Sequence, residues 1–183
     1  LDQCLNGFYL HTGAMYRSIA LMCLDGGLDL KNESQVESVL GDLDISLTGN
    51  RVILSGRDVT ERIKEPDVAS GASEIGVYPK IRQASVLKQQ AIAKNEVSQG
   101  KIVVSEGRDT GTVVFPNAPF KLYLTAKPEV RAQRRMEQYG NLSEDDLIRE
   151  LENLKTRDKR DTERDASPLS DAPLGLGYFV LDN

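Results

Sequence analysis

The strongest constraint on the fold is a β-branched apolar run that feeds straight into a polar turn. It reads Lys101-Ile102-Val103-Val104-Ser105-Glu106-Gly107-Arg108-Asp109-Thr110-Gly111-Thr112-Val113-Val114-Phe115-Pro116. Ile102 to Val104 predicts a buried strand of the kind found in parallel sheets. In open α/β sheets, ligands bind just beyond the carboxyl ends of the strands. Arg108 brings a planar fork suited to phosphate or carboxylate. Asp109 brings acceptors for an amino group or a hydroxyl. An isolated Gly-Arg-Asp is also served by a local ion pair capping the turn, so the pair alone leaves both readings open.

The rest of the chain alternates. Phe8 to Leu10 reads as a strand ending in Thr12-Gly13, and Ala14 to Leu24 is apolar at helical spacing up to Gly26-Gly27. A short helix follows from Ser34 to Leu40, capped by Asn32 or Ser34. Leu43 to Leu47 and Arg51 to Leu54 alternate on either side of Thr48-Gly49-Asn50, which predicts a hairpin. Pro66 to Gly76 and Pro79 to Val97 read as helices opening near a proline. Phe120 to Thr125 and Tyr178 to Leu181 read as strands, Pro128 to Tyr139 and Glu144 to Asp158 as charged helices. Strands alternating with helices imply a mostly parallel α/β sheet, and the hairpin marks an inserted lobe at roughly residues 30 to 80.

At 183 residues, one domain with a small insertion is expected. A hydrophobic content of 39% with 28% charged residues describes a soluble globular protein. A net charge of −5 argues against generic nucleic-acid binding. No run is long enough for a membrane span, and no secretory pattern is present. Cys4 and Cys23 lack metal-type spacing and, with a single histidine, argue against zinc. A reducing cytoplasmic compartment is the simplest fit.

Three further constellations bear on chemistry. Thr12-Gly13-Ala14-Met15-Tyr16-Arg17 opens a helix at a strand end, where free amides and the dipole attract anions; Thr12 is placed to cap, and Arg17 lies about a turn in. The alternative is an ordinary cap and a surface arginine. Ser70-Gly71-Ala72-Ser73-Glu74 through Pro79-Lys80-Ile81-Arg82 is a small-residue helix and a basic turn, which serves close approach to a ligand or, more simply, helix packing. In Lys155 to Asp165, helical spacing puts Arg157, Arg160 and Arg164 on one face beside Asp158, Asp161 and Asp165. That pattern suits a solvated helix with internal ion pairs. It equally suits a lid that carries arginines to phosphates and shuts out water.

Gly-Arg-Asp-x-Gly-Thr-Val-Val-Phe-Pro closely resembles a signature of bacterial cytidylate kinases, and the likeness extends from Tyr9 to Asp182. The Thr-Gly-Ala-x-Tyr-Arg string and the Arg-Asp-x-x-Asp-x-x-Arg run followed by Ser-Pro-Leu are similar to that family as well. The resemblance implies a P-loop nucleoside monophosphate kinase fold: an α/β parallel sheet with helices on both faces, an NMP-binding insertion at about 30–80 and an arginine-rich lid at about 155–168. It implies transfer of the γ-phosphate of ATP, with Mg²⁺, to CMP or dCMP by a monomer acting in the cytoplasm. It assigns Arg17 to the acceptor phosphate, Arg108 to a phosphate, Thr12 to substrate binding, Ser73, Arg82 and Asp109 to the cytosine, and Arg157 and Asp161 to the ribose. Arg164 falls at the nucleotide and Arg160 at a phosphate, and Arg108, Arg157, Arg160 and Arg164 form the catalytic set. His11 stands where the family carries aspartate. Two rivals remain at this stage, a kinase acting on UMP or AMP and a non-catalytic nucleotide-binding module.

A Gly-x-x-x-x-Gly-Lys-(Ser/Thr) loop is missing from the sequence; the single Gly-Lys pair, Gly100-Lys101, is followed by Ile102. The resemblance puts that loop before Leu1, with Leu1 to Phe8 as the end of the helix after it, and puts a closing helix beyond Asn183. The expectation is therefore a fragment lacking the first (P-loop) strand and the last helix. In that reading, the strands at 102–105 and 121–124 lose a shared neighbour and expose unpaired backbone. Such a fragment would be inactive and poorly stable.

Overall fold

The computed structural model describes residues 6–48, 50–140, 143–165, 167–169 and 173–183. Cys4, most of the helix end read into Leu1 to Phe8, Gly49 of the hairpin turn and Ala166 of the lid lie outside the described residues. The chain forms two compact units, 1–115 and 116–183.

In the first unit, β1 (Gly7–His11) runs parallel to β5 (Ile102–Glu106), with Gly7 opposite Ile102 and His11 opposite Glu106. This corrects the expectation that the first strand is absent. β1 forms because Phe8 and Leu10 alternate into the core, 7% and 0% exposed, against Ala93, Ile92, Val103 and Phe115. The strands at 102–106 and 122–125 each have a parallel partner, β1 for the former and the strand Phe179–Asp182 for the latter. β5 is not the doubly buried strand its composition predicts. Val103 packs inward, whereas Ile102 and Val104 stand 53% and 39% exposed on the outer face, beside Tyr9. Among the described residues, helix cover is therefore not found on both faces of this two-stranded sheet.

α1 (Thr12–Asp25) is the core of the unit, with Met15, Ile19, Leu21 and Cys23 fully buried. It packs on α3 (Pro66–Ile75), whose Val68 and Ile75 are also fully buried. Gly71 permits this: a Cβ there would lie 2.8 Å from Leu30 Cδ1 and 3.4 Å from Ala20 Cβ. The small-residue pattern of α3 thus serves packing at this position. α2 (Glu33–Ser38) is capped by Asn32, whose side chain accepts from the Gln35 amide at 3.2 Å.

The hairpin is present as β2 (Ile45–Thr48) and β3 (Arg51–Leu54), antiparallel, with Ile45, Val52 and Leu54 joining the α1 core. A third strand, β4 (Arg57–Asp58), follows through a two-residue turn at Ser55 and Gly56, with φ of +48° and +76°. Positive φ at both positions matches the twist of a tight hairpin. α4 (Pro79–Ser98) then leads to β5.

The second unit holds β6 (Leu122–Thr125) parallel to β7 (Phe179–Asp182), and the helices α5 (Pro128–Tyr139) and α6 (Glu144–Glu163). α6 runs past the expected Asp158. Ser143 and Asp146 form a capping box at its start. Ion pairs clasp α5 to α6: Arg131 to Asp158, and Arg135 to Glu150 at 2.9 Å. Asp158 holds the Arg131 guanidinium charged beyond its usual range.

Candidate functional site

Two groups of expected residues emerge, one in each unit. In the first, the carboxyl ends of β1 and β5 lie side by side, as their register requires. His11 is the residue before α1 and makes no side-chain cap, and Thr12 is the first helical residue. The expected Thr12 cap is thereby corrected: its hydroxyl donates instead to the Glu106 carbonyl at 2.7 Å, the acceptor nearest the strand end. Arg17 is half-buried, and its Nη1 donates to the Ile63 carbonyl at 3.0 Å.

Glu106 is followed by Gly107, Arg108 and Asp109. Gly107 is obligatory, because a Cβ there would lie 2.4 Å from Thr12 Oγ1 and 3.0 Å from Thr110 Cγ2. The turn is thus pressed onto the start of α1. Beyond it, Thr110–Val114 forms one wide π-type turn. The Asp109 carbonyl accepts from the amides of Thr112, Val113 and Val114 at 3.3, 2.9 and 3.2 Å. Gln90 of α4 donates to the Val114 carbonyl at 2.9 Å and secures the far end. Such turns recur at functional sites because they re-aim the residues that flank them.

Arg82 lies in the first turn of α4, set there by Pro79. Its Nη1 donates to the Gly76 carbonyl at 2.9 Å, its Nη2 pairs with the Asp109 carboxylate, and its guanidinium sits 5.6 Å from the Tyr16 ring centroid. Arg82 and Asp109 are only 4% and 5% exposed, and Arg82 Nε has no hydrogen-bond partner among the described residues. Arg108 is half-buried beside this pair in sequence, and Ser73 is half-buried on α3. The structure therefore joins Arg82 to Asp109, and Thr12 to the turn before Arg108.

In the second unit the arginine run is mostly helical, and Arg157 and Arg164 pair with Asp161. Arg157 Nε lies 3.9 Å and Arg164 Nη1 3.0 Å from the Asp161 carboxylate. Arg160 is half-buried on the same helix. The helix ends at Glu163, so Arg164 leaves the expected helical stripe; its Nε donates to the Ser167 carbonyl at 2.8 Å. Asp161 is buried, its carbonyl accepting from the Leu169 amide at 2.8 Å. The internal ion pairs of the plainer reading are thus present.

Tyr16, Gly107, Gln90 and the His11–Glu106 contact are passed over by sequence reasoning. Tyr16 and Gly107 sit inside the motifs themselves; Gln90 carries no local signal. Among the described residues, no cluster of three or more His, Cys, Asp or Glu side chains is placed to hold a metal ion, and no helix is long and apolar enough to cross a membrane.

The cytidylate kinase family profile matches residues 1–178. A cytidylate kinase of Caldanaerobacter subterraneus subsp. tengcongensis is 44% identical over the whole chain, which covers 78% of that protein. The chain belongs to the cytidylate kinase family. A cytidylate kinase of Solibacter usitatus is 40% identical over 94% of the chain and 74% of its own length, and one of Shewanella sp. is 39% identical over the whole chain and 79% of its own length. The family likeness begins at residue 1, which corrects its expected start at Tyr9, where the motifs that carried the resemblance begin.

Proposed function

We propose that this chain, an enzyme of the cytidylate kinase family, transfers the terminal phosphoryl group of ATP to CMP or dCMP, giving CDP or dCDP. The observation that carries the reading in the structure is the buried Arg82–Asp109 pair on the glycine-pressed turn after β5. Asp109 has acceptors for an exocyclic amino group and the Arg82 guanidinium has donors for a ring carbonyl, which is the pattern cytosine presents. Uracil presents a carbonyl where cytosine has the amino group and meets Asp109 unfavourably. Ser73 adds a hydroxyl to this base-reading set.

The acceptor phosphate falls to Arg108 and Arg17, with Thr12 and the amides that open α1. Arg157 and Asp161 take the ribose. Arg160 and Arg164, with Arg108, supply positive charge where phosphoryl transfer accumulates negative charge. No covalent intermediate is needed; the chain positions two nucleotides and neutralises charge. Magnesium belongs with the ATP phosphates, and no step rests on an ion held by this chain. The enzyme is read as a monomer of the cytoplasm acting on free nucleotides, in keeping with its net charge of −5.

The test is a coupled assay of ADP release with CMP, dCMP, UMP and AMP as acceptors. Turnover with CMP well above UMP and AMP supports the reading. Equal rates with UMP, or none with CMP, count against it.

A further inference from the structure

Helix α4 holds the segment that carries Asp109 at two points. Arg82 pairs with the Asp109 carboxylate, and Gln90 Nε2 donates to the Val114 carbonyl at 2.9 Å. At the helical rise, these two attachments lie about 12 Å apart along α4. Val114 is 2% exposed and is the last residue of the wide turn. Its amide donates back to the Asp109 carbonyl at 3.2 Å, alongside the amides of Thr112 and Val113. The Thr112 hydroxyl donates to the same carbonyl at 3.3 Å. A continuous chain of hydrogen bonds therefore runs from the Gln90 side chain through Val114 to the backbone of Asp109.

We propose that Gln90 is a positioning residue for base selection: it fixes the wide turn on α4 and so aims the Asp109 carboxylate. The inference rests on the reading in which Asp109 accepts from the amino group of cytosine. A carboxylate held through Arg82 alone is free to pivot about that one pair. A second attachment to the same helix stops the pivot, and at the near end Gly107 is pressed against Thr12. Aim matters because a hydrogen bond weakens steeply once its angle or length leaves a narrow range. Gln90 itself is exposed, and Ile92, Ala93 and Phe115 pack together in the core without it. Losing its side-chain donor therefore leaves the fold in place and releases only the far end of the turn.

The test reads kcat/KM for CMP over that for UMP, two acceptors that differ only in the base. Gln90→Met keeps the length of the side chain and removes the donor. It is expected to lower this ratio roughly two- to tenfold, the worth of one hydrogen bond. The fall comes from a raised CMP KM with kcat near that of the parent, as loss of a binding contact requires. In an Asp109→Asn background, Gln90→Met lowers the ratio no further, because Gln90 acts through that carboxylate. A ratio unchanged in Gln90→Met, with or without a lower melting temperature, shows a contact that serves structure alone and overturns the inference. An equal further loss in the Asp109→Asn background also overturns it, and both results leave the proposed function standing. A parent enzyme that turns over CMP no faster than UMP overturns this inference together with the function it rests on.

Discussion

Arg82 and Asp109 stand 27 residues apart in the chain and meet as an ion pair from which solvent is almost excluded. The pair links the first turn of α4 to the turn after β5, so one contact ties together two segments of the first unit. Removing one partner of a buried pair leaves an uncompensated charge. Asp109→Ala is expected to cost about 3–5 kcal/mol of stability in urea unfolding. Asp109→Asn keeps the shape and an acceptor while removing the charge; it is expected to lose less stability and to lower the preference for CMP over UMP in kcat/KM. An unchanged preference would count against Asp109 as a reader of the base.

Gly107 gives a steric test. A Cβ at this position collides with the Thr12 hydroxyl, whose own bond to Glu106 cannot be kept if it moves aside. Gly107→Ala is expected to lose about 1–3 kcal/mol by overpacking. Adding Thr12→Ala removes the colliding oxygen, so the double variant should be more stable than the sum of the single losses implies. Additive losses in thermal melts would show that the turn moves freely of α1.

The alternation of strands and helices, the hairpin and the long helices are all legible in the sequence because each rests on a local signal, such as Pro79 opening α4 or the alternation of Arg51 to Leu54. What escapes it depends on partners distant in the chain. Ile102 and Val104 read as buried, yet a neighbour covers only the Val103 face of their strand. Thr12 reads as a cap, yet a carbonyl 94 residues away takes its hydroxyl. The short strand β4 is hidden because Arg57-Asp58 has no apolar pattern, and its pairing is decided by the Ser55-Gly56 turn. Arg82 and Asp109 are singled out by motif, but only the fold joins them.

The acid limb of stability has an identifiable contributor in Asp58. The Thr60 hydroxyl, the Thr60 amide and Arg51 hold its carboxyl down to about 2. The Thr60 contacts are 2.6 and 3.0 Å, and Arg51 Nε donates at 2.8 Å. The folded value lies below the unfolded value of about 3.9. The stabilisation is therefore full above about pH 4 and is lost as pH falls towards 2. The melting-temperature gap between the parent and Asp58→Asn should be constant from neutral pH to about 5 and then narrow as acid protonates Asp58. A gap that stays constant down to pH 2 would show that the Asp58 contacts do not favour the charged form.

Arg164 separates the two readings of the arginine run. Its side chain is 7% exposed, held by Asp161 at 3.0 Å and by the Ser167 carbonyl at 2.8 Å. If these contacts only end the helix, Arg164→Ala lowers the melting temperature and leaves kcat of the folded enzyme near that of the parent. If the guanidinium serves phosphoryl transfer, its loss removes a donor aimed at developing charge, and kcat falls by about 10²-fold or more. Arg164→Lys sharpens the comparison: it keeps the charge but not the fork that spans Asp161 and Ser167. A large fall in kcat for Ala, partial recovery for Lys and a smaller change in CMP KM is the expected pattern. Stability loss alone, with kcat intact in both variants, would return this stretch to a helix end fastened by its own ion pairs.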